Sequence, residues 1–372
     1  MKYYIIAGEA SGDLHGSNLV RELKQRDPAA TIRCWGGDKM REAGAELVKH
    51  YRDLAFMGFA EVLLNLRTIL RNLKFCKEDM AAWQPDVLIL IDYPGFNLRI
   101  AEWAHDRGLR VVYYISPQVW AWKENRVRSM KRCIDRMLVI LPFEKEYFRQ
   151  KWQWETEYVG HPLVQVVSEF KQHYQPATQP AGDERPLIAL LPGSRRQEIV
   201  KKLPIMLGVT KRFPAYRFAV AQAPAIEDAF YQPIISPYPN VSLAKDQTYA
   251  LLMEAQAALV TSGTATLETA LFGVPEVVCY KASRISYEIG KRLIRIPYIS
   301  LVNLIMNKPV VKELIQHDLT VDKLQQELEL LLHNEERRRQ LQQDYAELWQ
   351  RLGEGGNASA KAAGLILDFL TK

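Results

Sequence analysis

A strand–glycine–helix start occurs twice in the chain. Near the N-terminus the apolar run 3–7 leads into Gly8-Glu9-Ala10-Ser11-Gly12-Asp13 and a helical pattern. Far downstream, Leu187–Leu191 leads into Pro192-Gly193-Ser194-Arg195 and another helical pattern. Each reads as a buried strand, a glycine turn and a helix N-terminus, the opening of a doubly wound α/β domain whose turn faces the ligand crevice. Two such starts predict two Rossmann-like domains with a cleft between them, suited to bringing two substrates together. A length of 372 residues is enough for both.

Alternation of apolar runs with amphipathic stretches supports the reading. Strands are predicted over 3–7, 31–35, 87–91, 111–115, 137–141 and 157–159, with helices over 14–26, 98–107 and 119–132. This pattern argues for a mostly parallel sheet covered on both faces. The polar, Pro/Gly-rich stretch 171–186 reads as a linker. Beyond it, strands are predicted over 187–191, 217–221, 257–260 and 276–280, and helices over 197–213, 248–254, 264–272 and 285–294. Three helices close the chain, over 321–333, 335–351 and 358–370, the last two separated by Gly353-Glu354-Gly355-Gly356. The expected domains are therefore 1–170 and 187–352, with the final helix, 357–372, crossing back to complete the first.

Composition excludes several classes. Hydrophobic residues make up 48% and charged residues 25%, an ordinary globular balance. Cys34, Cys76, Cys133 and Cys279 form no CxxC pair, so reduced thiols in a cytosolic protein are expected. The chain opens on a strand pattern without a basic region and apolar core, which argues against a signal peptide. No apolar run is long enough to span a bilayer. The formal charge of +6 suits anionic small ligands or an anionic membrane surface. No nucleic-acid-binding motif is present.

In the second half, Gly193 would let the backbone approach a phosphate, Ser194 and the following N–H groups would face it, and Arg195 offers a planar charged fork. Alone, this motif reads equally as a plain βα turn with a surface arginine. Thr261-Ser262-Gly263-Thr264 repeats the logic, and Glu268 lies one helical turn beyond Thr264, placed to accept from ribose hydroxyls. Glu268 also reads as a helix N-terminal acid favoured by the dipole. Together the two turns suggest a nucleoside diphosphate site. G-x-G-x-x-G spacing, a Walker A motif and a D-x-D pair are all lacking, so no metal and no cofactor is expected. Arg195 and helix N-termini would carry the diphosphate charge.

In the first half, the apolar strand Val87–Ile91 ends in Asp92-Tyr93-Pro94-Gly95-Phe96-Asn97. An aspartate at the carboxyl end of a central strand points into the crevice, where it could act as a general base. A turn aspartate is the competing reading. After the next strand, Trp120 and Trp122 precede Lys123, Arg126, Arg128, Lys131 and Arg132, either a sugar, phosphate or lipid site or two core tryptophans beside a solvated basic face. The stretch from Met57 through Leu63 and Leu66 to Lys74 is apolar with Arg67, Arg71 and Lys74 on one stripe, a membrane- or acyl-contacting helix or a core helix. His15 and His161 read as structural histidines.

Taken in order, the motifs around Gly8–Asp13, Met57–Val62, Ile91–Asn97, Ser116–Trp122, Leu141–Glu144, Leu191–Arg195 and Ser262–Glu268 resemble the lipid-A-disaccharide synthase family. The resemblance implies a GT-B glycosyltransferase of two Rossmann-like domains. It implies transfer of diacylglucosamine from its UDP derivative to diacylglucosamine 1-phosphate, with inversion. The products are the β-1′,6-linked lipid A disaccharide 1-phosphate and UDP. It also implies work at the cytoplasmic face of the Gram-negative inner membrane. It sets Asp92 at the catalytic aspartate, Arg195 at the donor phosphate and Asn303 in the donor site. With Gly193, Ser194, Ser262, Gly263, Thr264 and Glu268 on the donor side, the acceptor and lipid side falls to Ser11, Gly12, Asp13, Asn97, Trp120, Met57, Leu63 and Leu66. Val302 stands where the family pattern has proline, and Pro309 where glutamate is common. The alternatives are another GT-B UDP-sugar enzyme, such as the muropeptide N-acetylglucosaminyltransferase or a UDP-N-acetylglucosamine 2-epimerase, and a non-catalytic UDP-sugar or lipid-binding protein. A homo-oligomer is left open.

Overall fold

The computed structural model describes residues 1–54, 66–176, 184–224, 226–293 and 296–371. It divides into two compact units, Met1–Pro162 with Leu352–Lys372, and Leu163–Arg351. Each is a parallel sheet flanked by helices, so the doubly wound α/β architecture expected from the alternation is present in both.

The first unit holds β1 (Lys2–Ala7), β2 (Thr31–Gly36), β3 (Glu46–His50), β4 (Val87–Ile91), β5 (Arg110–Tyr114), β6 (Arg136–Val139) and β7 (Glu157–Tyr158), in the order β3-β2-β1-β4-β5-β6-β7. β4, Val-Leu-Ile-Leu-Ile, is buried on both faces, as a central parallel strand covered by helices must be. The order reverses between β1 and β4, which pair with Ala7 opposite Ile91. That reversal is where doubly wound sheets open a crevice at the strands' carboxyl ends. Under the sheet, Tyr4, Trp35 and Phe148 are fully buried. The polar atoms among them are paired: Trp35 Nε1 donates to the Tyr4 hydroxyl (2.9 Å), which donates to Asp79 (2.7 Å).

The second unit holds β8 (Leu187–Leu191), β9 (Arg217–Ala221), β10 (Val241–Ala244), β11 (Ala255–Thr261), β12 (Glu276–Tyr280) and β13 (Lys312–Ile315), in the order β10-β9-β8-β11-β12-β13. Its reversal lies between β8 and β11, with Leu191 opposite Val260.

Three strands, β3, β10 and β13, were not expected, and all three are edge strands. The helix expected over 119–132 is also corrected. Residues 119–123 are irregular, a 3₁₀ turn covers Glu124–Arg126, and the α-helix begins only at Val127. Lys123, in a left-handed conformation (φ 54°), interrupts it. The expected linker 171–186 begins inside a helix, Pro162–His173, and 177–183 lie outside the described residues.

The last helix, Ala358–Thr371, packs on the first, Ala10–Arg26, within the first unit. A backbone crossing leads into it. The His161 N–H donates to the Leu352 carbonyl (3.2 Å), and a Cβ on Gly355 would lie 2.1 Å from the Gly160 nitrogen. Only glycine fits there. Gly160 itself has φ 92°, a backbone that favours glycine.

Candidate functional site

Both sheet reversals carry a turn that the sequence singled out. In the first unit the two chain segments leaving β1 and β4 lie side by side. Gly8 follows β1 and makes room for the ring of Tyr93, which a Cβ there would meet at 2.3 Å. The Tyr93 hydroxyl donates to the Leu54 carbonyl (3.0 Å). Asp92 and Tyr93 both adopt left-handed backbone (φ 45° and 48°), as do Ile115, just past β5 (φ 69°), and Lys123. For a β-branched residue such as Ile115 this is a real outlier. Four strained non-glycine residues near the carboxyl ends of β4 and β5 form a cluster of the kind that marks functional sites.

The Asp92 turn is held from beneath. The Tyr113 hydroxyl donates to the Asp92 carbonyl (2.5 Å), and Asn97 Nδ2 donates to the same oxygen (2.7 Å) and toward the carbonyls of Ile91 and Ile6. These bonds leave the carboxyl group itself half-buried, without a cation against it. Burial, reinforced by the nearby Glu9 charge, pushes its pKa up to about 7. Glu144, 1% exposed, is pushed up to about 7 as well, first by burial, with Asp92 adding to the effect. It accepts from Trp120 Nε1 and from the Leu141 N–H, both at 3.0 Å.

The remaining acceptor-side candidates divide. Trp120 is half-buried and lies edge-on to Phe143. Ser11 is exposed at the helix N-terminus. Gly12 packs on Ala7, where a Cβ would sit 3.1 Å from the Ala7 Cβ. Asp13 and Asn97, named on the acceptor side, are both buried and hydrogen-bonded to nearby backbone. Asp13 is 3% exposed and accepts from the N–H groups of Gly37, Lys39 and Met40, capping the short helix Asp38–Glu42. Asn97 is fully buried beneath Asp92. Met57 and Leu63 lie outside the described residues, and Leu66 opens the helix Leu66–Trp83. That helix exposes Arg67, Leu70, Arg71, Lys74 and Phe75. His15 and His161 are buried, which lowers their pKa values to about 4 and about 3 and keeps them neutral.

In the second unit, Gly193 (φ 118°) follows β8 and Gly263 (φ 149°) follows β11, conformations that glycine adopts readily. Thr261 Oγ1 donates to the Pro192 carbonyl (2.9 Å), tying the two turns together. Ser194, Gly263 and Thr264 are exposed, and Arg195 is the exposed N-cap of the helix Arg196–Thr210, bonded to Glu198 (3.3 Å). Ser262 Oγ donates to the Ile299 carbonyl (2.8 Å). Glu268 accepts from the Tyr249 hydroxyl (2.7 Å), and burial raises its pKa. Two helix N-termini with free N–H groups, an arginine and a half-buried carboxyl are the parts a sugar-nucleotide diphosphate requires.

Asn303, named on the donor side, lines a pocket with Tyr298, Pro309 and Glu313. It is 1% exposed, donating to the Val311 carbonyl and to Glu313 (both 2.9 Å) and accepting from the Val311 N–H. Glu313 in turn accepts from the N–H groups of Ile299 and Ser300. The pair shapes the segment that Ser262 grips. Glu313, Tyr113 and Tyr249 were missed by sequence reasoning. Val302 is buried inside the helix Leu301–Met306. Among the described residues, no helix is long and apolar enough to cross a membrane.

Comparison with known proteins gives a consistent picture. A family model described as Lipid-A-disaccharide synthetase matches residues 3–366. The chain is 38% identical to the Lipid-A-disaccharide synthase of Geobacter sulfurreducens over 374 residues, covering 99% of this chain and 97% of that protein. It is 37% identical to the protein of that name in Coxiella burnetii (strain RSA 331 / Henzerling II), covering 98% of each. Among solved structures, the glycotransferase of kitacinnamycin matches with a TM-score of 0.69 at 16% identity, covering 99% of this chain and 98% of that one. CalG4, the calicheamicin glycosyltransferase, matches at 0.63 and 17%, covering 100% and 98%. The UDP-GlcNAc 2-epimerase of Neisseria meningitidis, bound to UDP-GlcNAc, matches at 0.67 and 13% over the whole of both chains. These structural likenesses establish the GT-B fold alone.

Proposed function

The chain belongs to the lipid-A-disaccharide synthetase family and is a glycosyltransferase. From that premise we propose that it transfers diacylglucosamine from UDP-2,3-diacylglucosamine to 2,3-diacylglucosamine 1-phosphate. The products are the β-1′,6-linked disaccharide 1-phosphate and UDP, with the anomeric centre inverted. The acceptor belongs to the first unit and the UDP-sugar to the second. The observation that carries this reading is Asp92, strained, held by Tyr113 and Asn97, and raised to about 7. A carboxylate of that basicity suits removal of a hydroxyl proton near neutral pH.

In this mechanism Asp92 takes the proton of the acceptor 6-hydroxyl as its oxygen attacks the anomeric carbon and the bond to UDP breaks. Negative charge grows on the departing diphosphate. Arg195 and the N–H groups after Gly193 and Gly263 stabilise it, and Glu268 accepts from the ribose. No metal enters this scheme. The exposed mix of Leu70 and Phe75 with Arg67, Arg71 and Lys74 supports peripheral attachment to an anionic membrane surface, the cytoplasmic face of the inner membrane. The epimerase and muropeptide-transferase alternatives are not favoured, since the curated relatives carry the disaccharide synthase name.

The test is UDP release from UDP-diacylglucosamine in detergent with EDTA, with and without diacylglucosamine 1-phosphate. Acceptor-dependent release is expected. In Asp92→Asn, turnover should fall by ~10²–10⁴-fold, the worth of general-base help, while UDP binding persists. Equal loss of turnover and UDP binding would remove Asp92 from the role of base.

A further inference from the structure

The loop after β5 carries two tryptophans with opposite fates. Trp120 turns inward and donates to buried Glu144, which pins the loop. Trp122, two residues on, is 46% exposed. Lys123 Nζ lies 4.3 Å from the centroid of its ring, and the Arg126 guanidinium 5.8 Å from the same ring.

Glu124, between them in sequence, is taken: it pairs with Lys151 (2.6 Å) and accepts from Tyr147 (2.7 Å). The Lys123 ammonium and the Arg126 guanidinium have no ion-pair or hydrogen-bond partner among the described residues, although the Arg126 N–H donates to the Lys123 carbonyl (3.0 Å). Burial, then the neighbouring Arg126 charge, holds the Lys123 ammonium below its usual range. Lys123 is also held in left-handed backbone (φ 54°), a conformation strained for a non-glycine residue. Two like charges are thus brought together at one indole, with no carboxylate ion-paired to either among the described residues.

The position is informative. Arg126 acts electrostatically on the Tyr113 hydroxyl, the same hydroxyl that donates to the Asp92 carbonyl. Both cations follow β5, whose carboxyl end pairs with that of β4 (Tyr114 opposite Ile91), so their loop leaves the sheet from the strand next to Asp92. We propose that Trp122, Lys123 and Arg126 form the subsite for the acceptor's anomeric phosphate, with the indole against the sugar or its first acyl carbons and the two cations on the phosphomonoester. This rests on the reading that Asp92 serves the acceptor hydroxyl. In a glucosamine 1-phosphate, C1 with its phosphate and C5 with its 6-hydroxymethyl group flank the ring oxygen, so a base and a pair of cations beside one sugar can read both substituents. Neighbouring cations are what a dianionic phosphate needs, and a guanidinium fork adds direction.

The measurement is acceptor selectivity: kcat/KM for diacylglucosamine 1-phosphate divided by kcat/KM for diacylglucosamine lacking the phosphate. Lys123→Met and Arg126→Met should each lower that ratio at least tenfold, and Arg126→Lys should recover part of it. A ratio within twofold of the starting protein in both Met variants overturns the subsite. So does a loss confined to sedimentation with phosphatidylglycerol vesicles, which would assign the cations to lipid headgroups. If the unaltered protein releases no UDP with either acceptor, the transferase reading has failed. Equilibrium binding of radiolabelled diacylglucosamine 1-phosphate then decides the subsite by itself: weaker binding in the Met variants upholds it, and equal binding overturns it.

Discussion

Asp92 is a single carboxyl group whose chemistry is set by its neighbours. Its pKa is raised to about 7, so the basic form accumulates as pH rises through that value. The rate of transfer should therefore climb on the acid side with a midpoint near 7 and fall as pH drops below it. Tyr113→Phe removes one of the two donors to the Asp92 carbonyl, a loss of about 0.5–1.5 kcal/mol of support for the strained turn. With the turn relaxed, the carboxyl group gains water and its pKa moves toward ordinary carboxylate values. The acid limb should shift to lower pH and the plateau rate should drop several-fold. A pH–rate profile of the Phe variant that overlays the parent's would exclude Tyr113 from a positioning role. The position of Asp92 could be read from sequence because the end of a fully apolar strand is a recognisable place. Tyr113 could not, since within β5 it looks like any buried aromatic. Asp13, Asn97 and Asn303 look like ligands in a motif, and in the fold each is also buried and hydrogen-bonded to the backbone around it. A motif records that a residue type is needed there, and a carboxylate or amide serves equally well to bind a ligand or to hold the loop that does.

At the scale of elements, the central strands were legible, and of the four edge strands only β7 was. β1, β4, β8 and β11 are buried on both faces and read as continuous apolar runs. β3 and β13, Glu-Leu-Val-Lys-His and Lys-Glu-Leu-Ile, each pair on one side only, and their charged residues are what an edge tolerates. The turns after β8 and β11 could be foreseen because glycine's backbone freedom is written directly in sequence. Gly193 is the sharper case, since φ 118° disfavours any side chain and a Cβ would lie 2.5 Å from Glu198 Oε2. Gly193→Val should cost about 1–3 kcal/mol of stability through backbone strain. It should also weaken UDP binding at least tenfold in a calorimetric titration. Undiminished UDP binding by a folded valine variant would show that the diphosphate lies elsewhere.

At the scale of the molecule, the first unit is discontinuous: its last piece is Leu352–Lys372. The final helix buries Ala358, Ala362, Ala363, Ile366 and Leu370, and Arg110 Nη1 donates to the Leu370 carbonyl (2.9 Å). Ile366 and Leu370 alone are worth about 1.5–3 kcal/mol each, a large share of the 5–15 kcal/mol typical of a domain. A chain ending at Gly353 should therefore lose protease resistance in 1–162 while 163–351 keeps its own unfolding transition. Unchanged resistance of 1–162 would show the helix to be dispensable. The same discontinuity has a consequence for synthesis. The segment made first cannot be completed until the segment made last emerges from the ribosome. At about 5–20 residues per second, the helix Ala10–Arg26 must wait roughly fifteen to seventy seconds, while 27–357 are translated, for its partner. During that interval the other unit can close and the older one cannot, so the nascent chain carries an unfinished α/β layer that a chaperone would have to shield.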